Sequence, residues 1–147
     1  MRLFIDADGC PAVNQAVRMA QRHGVPVTLV CDTAHLIAVE GAQTITVPKG
    51  RDAADFALLK RLHGGDLVVT QDYGLAALCL SKWAEVLHPD GRWLTADNID
   101  GLLFARYAAQ KTRRAGGRTR GPKRRTQLQD ERFLQALSSR LAAEEED

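Results

Sequence analysis

Three consecutive apolar residues, Leu3-Phe4-Ile5, run into Asp6 and a polar, glycine-containing stretch. A short apolar run without alternation predicts a strand covered on both faces. Pro11 suits the first turn of a helix whose apolar side is Val13, Val17 and Ala20 and which ends at His23-Gly24. The β-branched run from Val25 to Cys31 predicts a second strand, and Thr44 to Val47 a third, with an unassigned stretch around Leu36 to Glu40 between them. Asp52 is positioned to cap a helix through about Leu62, stopped by Gly64-Gly65. Leu67 to Thr70 is again apolar without alternation, Leu75 to Lys82 reads as a helix, and Glu85 to Leu87 as a last short strand. Thr95 can cap a helix from about Asp97 to Lys111. Phe133, Leu134, Leu137 and Leu141 fall at helical spacing in a final helix over 126–143, and the acids from Glu144 to Asp147 follow at its unfavourable end.

Strands that alternate with helices on this scale imply a small, mostly parallel sheet with right-handed crossovers and helices on both faces. The expected fold class is therefore α/β, a three-layer sandwich. A length of 147 residues with 45% hydrophobic and 26% charged positions suits a single domain over 1–147. No apolar run approaches the length of a membrane span, and the residues after Met1 lack the pattern of a signal peptide, so no membrane association and a cytoplasmic location are expected. The three cysteines form no C-x-x-C pair and the four histidines no zinc-binding spacing, so any metal would be held by oxygen. No haem or nucleotide cofactor is expected.

The net charge of +2 conceals an asymmetry. Lys111, Arg113, Arg114, Arg118, Arg120, Lys123, Arg124 and Arg125 lie in one acid-free stretch, and the rest of the chain has 12 basic against 18 acidic residues. The Gly- and Arg-rich segment 111–125 has few apolar residues to anchor it and reads as a mobile basic loop able to track phosphates without reading bases. The opposing reading is a solubilising loop paired with the acidic C-terminus. At 5% aromatic residues, composition offers no sign of a base-stacking platform.

In open parallel sheets, ligands gather beyond the carboxyl ends of the strands. Aspartate recurs there: Asp6 and Asp8 after the first strand, Asp52 and Asp55 after the third, Asp72 after the Leu67–Thr70 run. In an extended segment Asp6 and Asp8 would point the same way, with Cα atoms roughly 6.5 to 7 Å apart. Gathered carboxylates repel one another unless a cation sits among them, and an all-oxygen donor set suits Mg²⁺ or Mn²⁺. Each acid also has a structural reading. Asp52 suits an N-cap, Asp55 a favourable acid in a first helical turn, and Asp72 a second cap. Asp6, ending a buried strand, needs a partner. Asp66 lies at the opposite end of its strand and is left out. Cys10, beside carboxylates and without the C-x-x-x-x-x-R loop of cysteine phosphatases, reads as a packing residue. Lys49 and Arg51, flanking Gly50 near the same edge, can offset phosphate charge or remain solvated.

The segments Asp6-Ala7-Asp8-Gly9-Cys10-Pro11, Gly65 to Ala76, Asn98-Ile99-Asp100 and Gly121-Pro122 together resemble the YaiI/YqxD family of bacterial proteins over nearly the whole chain. That family is similar in turn to PIN-like domains, nucleases with a parallel α/β sandwich and three or four acids that hold Mg²⁺ or Mn²⁺. The resemblance implies that Asp6 matches the acid ending the first strand, Asp55 the acid on a middle helix and Asp72 the acid opening the helix after the fourth strand, with Asp8 an additional ligand. Phe56 departs from the pattern, standing where a polar residue is expected beside the helix acid.

The leading expectation is a metal-dependent nuclease acting on RNA or single-stranded DNA. Asp6, Asp8, Asp55 and Asp72 would hold the ion, and Lys49, Arg51, Arg113, Arg114, Arg118, Arg120, Lys123, Arg124 and Arg125 the strand. A second possibility takes Asp6-x-Asp8 as nucleophile and general acid of a haloacid-dehalogenase-type phosphatase, although Cys10-Pro11 stands where that motif expects a small hydroxyl residue. A third is a PIN-like module that binds nucleic acid without cleaving it.

Overall fold

The computed structural model describes residues 1–33, 37–50, 52–117 and 124–146. Among the described residues six strands form one sheet in the order β3-β2-β1-β4-β5-β6, from β1 (Leu3–Asp6), β2 (Val27–Asp32), β3 (Gln43–Val47), β4 (Leu67–Val69), β5 (Glu85–Leu87) and β6 (Trp93–Leu94). The first five are parallel, with Leu3 beside both Val27 and Leu67. β6 runs antiparallel to β5 and was not anticipated, because a two-residue strand carries no periodicity to detect. The helices are α1 (Val13–Arg22), α2 (Ala53–Arg61), α3 (Tyr73–Ser81), α4 (Ile99–Arg114) and α5 (Gln127–Glu146).

The pleat separates two apolar cores. Leu3 and Ile5 of β1, with Leu67 and Val69 of β4, pack with Ala16, Val17 and Ala20 of α1 and Phe133, Leu137 and Leu141 of α5. Phe4 and Val68 point the other way, to Leu58 of α2, Leu75, Ala76 and Cys79 of α3 and Ile99 of α4. The arrangement is the expected three-layer α/β sandwich. Because β1 has β2 on one side and β4 on the other, the winding reverses between β1 and β4, and right-handed crossovers then put α1 and α2 on opposite faces.

Several boundaries differ from expectation. α4 continues to Arg114, so Lys111, Arg113 and Arg114 belong to its last turn rather than to a loop starting at 111. Cations are favourable at a helix C-terminus, which accounts for the extension. The expected loop residues Arg118, Arg120 and Lys123 lie outside the described residues, as does Arg51. Thr95 does not cap α4. Instead its N–H donates to Asn98 Oδ1 at 2.9 Å, and Asn98 occupies the cap position without a cap bond of its own. Asp52 precedes α2 as expected, yet it adopts the left-handed conformation (φ 64°) and its side chain makes no cap bond. α5 runs beyond 143 to Glu146; its Glu144 pairs with Arg140 one turn earlier at 3.4 Å. Arg140 in turn grips both carboxylate oxygens of Glu85 on β5, at 3.1 and 2.8 Å.

α5 also crosses the β5–β6 turn so closely that a Cβ on Gly91 would lie 2.7 Å from Arg132 Cβ, and Gly91 itself has φ +96°. Glycine is required there twice over, for conformation and for space. At the amino edge of the sheet Asp66, 5% exposed, accepts hydrogen bonds from the Arg2 N–H (3.1 Å), the Arg2 guanidinium (2.7 Å) and the His63 N–H (2.9 Å). It joins the starts of β1 and β4, far from the carboxyl edge.

Truncating Phe133, fully buried on the sheet side of α5, should cost about 3–5 kcal/mol in urea unfolding through lost burial and the cavity left behind. Asp66→Ala should cost roughly 1–3 kcal/mol by orphaning partly buried donors. Burial alone would raise the Asp66 carboxyl, but the bonds from Arg2 and His63 outweigh it and hold the group below its usual value. Its contribution is therefore present above the unfolded pKa, roughly 3.9, and is lost as pH falls through the lower folded value. Acid unfolding of wild type and Asp66→Asn should converge there.

Candidate active site at the carboxyl edge

The reversal between β1 and β4 opens a crevice at their carboxyl ends. Asp6 closes β1 and, two residues after Phe4, falls on the side of the sheet covered by α2, α3 and α4. Thr70, immediately after β4 and fully buried, donates from Oγ1 to Asp6 Oδ2 at 2.8 Å. The same hydroxyl accepts the Asp72 N–H at 3.0 Å. Asp72 caps α3: its Oδ1 accepts from the N–H groups of Gly74 (2.9 Å) and Leu75 (3.2 Å), with Arg106 Nη1 3.8 Å away. Its cap role and its place at the crevice coexist, since Oδ2 takes no partner among the described residues.

Asp55, in the first turn of α2, faces the same region. Burial lifts its carboxyl to about 6, and the charges of Asp72, Asp6 and Asp52 add to the rise. Asp6 is raised as well, first by burial, against the Thr70 bond, and further by Asp8 and Asp72. Asp55 and Asp72 line one cleft and Asp6 and Asp72 the next, so β1, α2 and α3 bring their acids to one stretch of the edge. Asp8 sits differently from expectation. Ala7–Gly9 form a 3-10 turn rather than an extended segment, because the chain leaves the sheet there to reach α1. Asp8 is exposed, and its Oδ2 accepts the Asp32 N–H at 3.0 Å, across on β2.

Two clefts meet at Asp72. One, about 440 Å³, lies between α2 and α3 and is lined by Asp52, Asp55, Phe56, Leu59, Gly74, Leu75 and Leu78. The other, about 480 Å³, runs past Asp6, Gln71, Tyr73, His88 and Arg106. Beyond it, a polar network that the sequence reading passed over continues the edge. Arg92 donates to Asp90 Oδ2 (2.7 Å) and to the Tyr73 hydroxyl (3.1 Å), and the Tyr73 and His88 rings are 6.1 Å apart. Burial holds His88 below the ordinary imidazole value; Asp90 opposes this, while Arg92 and Arg125 reinforce it. Arg125 is anchored by Asp130 at 2.6 Å and lines this outer cleft. Thr70 and Arg106 were also missed. A polar residue ending an apolar strand could have flagged Thr70, but no local pattern announces Arg106, whose relevance depends on how α4 docks.

The other sequence candidates divide. Lys49 is exposed after β3, two strands from Asp6, with its N–H on Thr33 Oγ1 at 3.3 Å. Arg113 and Arg114 lie exposed at the end of α4, and Arg124 is exposed ahead of α5. Burial raises the Cys10 thiol to about 11 against the opposing Ala12 N–H and Arg125, so it is protonated at neutral pH. The donor chemistry at the crevice, all carboxylate and mutually repelling, suits a hard divalent cation. Among the described residues no three His, Cys, Asp or Glu side chains are gathered tightly enough to enclose one. No helix among them is long and apolar enough to cross a membrane.

Relief of the repulsion should be visible in stability. Asp55→Asn should stabilise the protein in chelator by roughly 1 kcal/mol at pH 7.5, a figure discounted from the full shift because the group is partly solvated. The folded pKa lies above the unfolded one, so the penalty on the wild type is complete above about pH 6. The gain should shrink as pH falls from there toward the unfolded value, and urea unfolding at several pH values measures it.

The chain matches the family described as "Uncharacterized BCR, YaiI/YqxD family" over residues 4–143. A UPF0178 protein of Exiguobacterium sibiricum is 51% identical over 147 residues, the full length of both chains. Another, of Clostridium acetobutylicum, is 45% identical over 139 residues, 93% of this chain and 94% of the relative. One of Bacillus cereus is 41% identical over 145 residues, covering 97% and 99%. No solved structure matches. With the D-A-D-x-C-P turn leading from β1 into α1 and the match running from β1 into α5, the chain belongs to the YaiI/YqxD family.

Proposed function

We propose that this protein is a divalent-metal-dependent nuclease that hydrolyses phosphodiesters of RNA or single-stranded DNA, and that it is related to PIN-like domains. The observation that carries the reading is that Asp6, Asp55 and Asp72, from three separate segments, line two adjoining clefts at the carboxyl ends of β1 and β4. Asp6, Asp55 and Asp72 would hold Mg²⁺ or Mn²⁺, with Asp8 as an additional donor. The ion would polarise a phosphoryl oxygen and acidify water.

The chain's own groups have distinct tasks in this reading. Thr70 keeps Asp6 turned into the crevice and, through the Asp72 N–H, sets the spacing of two ligands. The cap bonds hold Asp72 Oδ1, so its remaining oxygen is the one available. Arg106, beside Asp72, is placed to meet a phosphate crossing the edge, and Lys111, Arg113 and Arg114 continue along the same helix. Arg125 approaches from the opposite side of His88. Nothing in the geometry favours the D-x-D phosphatase alternative: Asp8 is engaged as an acceptor from Asp32, a poor arrangement for delivering a proton.

Asp6→Asn should abolish Mn²⁺-dependent cleavage of an unstructured RNA oligonucleotide while the far-UV spectrum and urea midpoint show an intact fold. Undiminished cleavage by that variant would remove the reading. Binding to RNA without cleavage under any divalent metal, lost on neutralising the arginines between Arg113 and Arg125, would favour the non-catalytic module instead.

A further inference from the structure

The cleft between α2 and α3 has a composition that metal binding alone does not explain. Asp52, Asp55, Phe56 and Leu59 share one side of α2 through spacings of three and four, and they face Gly74, Leu75 and Leu78 of α3. Phe56 is 72% exposed and Leu78 51% exposed. These side chains contribute little to the core, yet they make an apolar wall directly beside three carboxylates. Exposed apolar surface that adjoins a charged site marks contact with something else.

Whatever covers the wall must also suit its mouth. A wholly apolar ligand would strip water from Asp55 and Asp72 without supplying a cation. A protein surface, a second copy of this chain included, would have to present an apolar face and aim a basic side chain at the mouth as well. A flat ring tethered through a sugar to a phosphate suits both ends: the ring would lie against Phe56, Leu59 and Leu78, and the phosphate would come beside the carboxylates that would hold a divalent ion in the proposed function. The cleft volume of about 440 Å³ falls within the range of small-ligand sites, roughly 300–1,000 Å³.

We infer that the α2–α3 cleft is a nucleobase slot, in which the base next to the reacting phosphate stacks on Phe56. The inference rests on the nuclease reading for the identity of the neighbouring centre and adds a base-binding subsite to it. A base can enter only when it is free of its own stack, so the substrate is single-stranded at that position. Walls that offer stacking and few hydrogen-bonding groups make the slot tolerant of base identity. Phe56, the departure from the PIN-like pattern beside Asp55, then has a task.

The test compares an oligouridylate of eight nucleotides with its abasic counterpart, which keeps every phosphate. Binding is measured with Ca²⁺ for the wild type, Phe56→Ala and Phe56→Tyr, and cleavage of the oligouridylate separately with Mn²⁺. Wild type should prefer the base-bearing strand. Phe56→Ala should lose roughly 5- to 150-fold for that strand and little for the abasic one, and Phe56→Tyr should retain binding. Methyl resonances of Leu59, Leu75 and Leu78 in the wild type should shift with the oligouridylate alone, a readout independent of any variant. Equal binding of both strands, or an unaffected Phe56→Ala, would overturn the slot even if the wild type cleaves. Base-dependent shifts without cleavage would uphold the slot and remove the nuclease reading. A wild-type dimer that Phe56→Ala dissolves in sedimentation would assign the wall to a second copy and overturn the slot.

Discussion

The hydroxyl of Thr70 stands where the chain reverses its winding, and it holds both sides of the crevice that the reversal creates. It donates to Asp6 at the end of β1 and accepts from the backbone of Asp72 at the start of α3. A buried carboxylate ending a central strand has to be satisfied, and one short side chain on the neighbouring strand does so while setting the position of the next acid. The candidate site is built around that pair of bonds. Asp55 arrives from α2 on the same face because the crossover from β3 to β4 passes over the side of the sheet that carries Phe4 and Val68.

The cost of the arrangement is electrostatic. Burial raises both the Asp6 and the Asp55 carboxyl, and nearby charges add to it: Asp8 and Asp72 at Asp6, and Asp72, Asp6 and Asp52 at Asp55. A structural role would be served as well by asparagine, which could accept a hydrogen bond without repelling its neighbours. Asp66 makes the contrast: buried as well, it is held down by Arg2 and by two backbone donors, and it serves to join strands. Asp66 is neutralised within the fold, whereas Asp6 and Asp55 keep raised carboxyls.

The remaining elements set what can approach. α4 carries Arg106 to Asp72 and extends as an exposed cationic helix, while α5, anchored by Phe133, Leu137, Leu141 and the Arg140–Glu85 clamp, fixes Arg125 on the far side of His88. The apolar cleft of Phe56 and Leu78 opens on the other flank of Asp72. Composition offers few aromatics, yet the fold exposes Phe56, Phe104 and Tyr107 on the helices of the face that carries Asp55 and Asp72.

Unbroken apolar runs in β1 and β4, the helical stripe of Phe133, Leu137 and Leu141, and the aspartates that follow the strands were legible in the chain itself. Those patterns depend only on local period and on the rule that parallel strands are covered on both faces. They determined the fold class and the separation of Asp66 from the aspartates that follow the strands. What they could not settle depended on contacts between distant segments. Asp8 left the extended path to meet Asp32, Asp52 turned left-handed without capping, and the two residues of β6 paired only because β5 was there to receive them. Thr70, Arg106 and the cleft beside Phe56 acquire meaning only when β1 and β4 lie side by side and α2, α3 and α4 pack on one face. Local sequence determines where a side chain may point; the packing of separate segments decides what it meets.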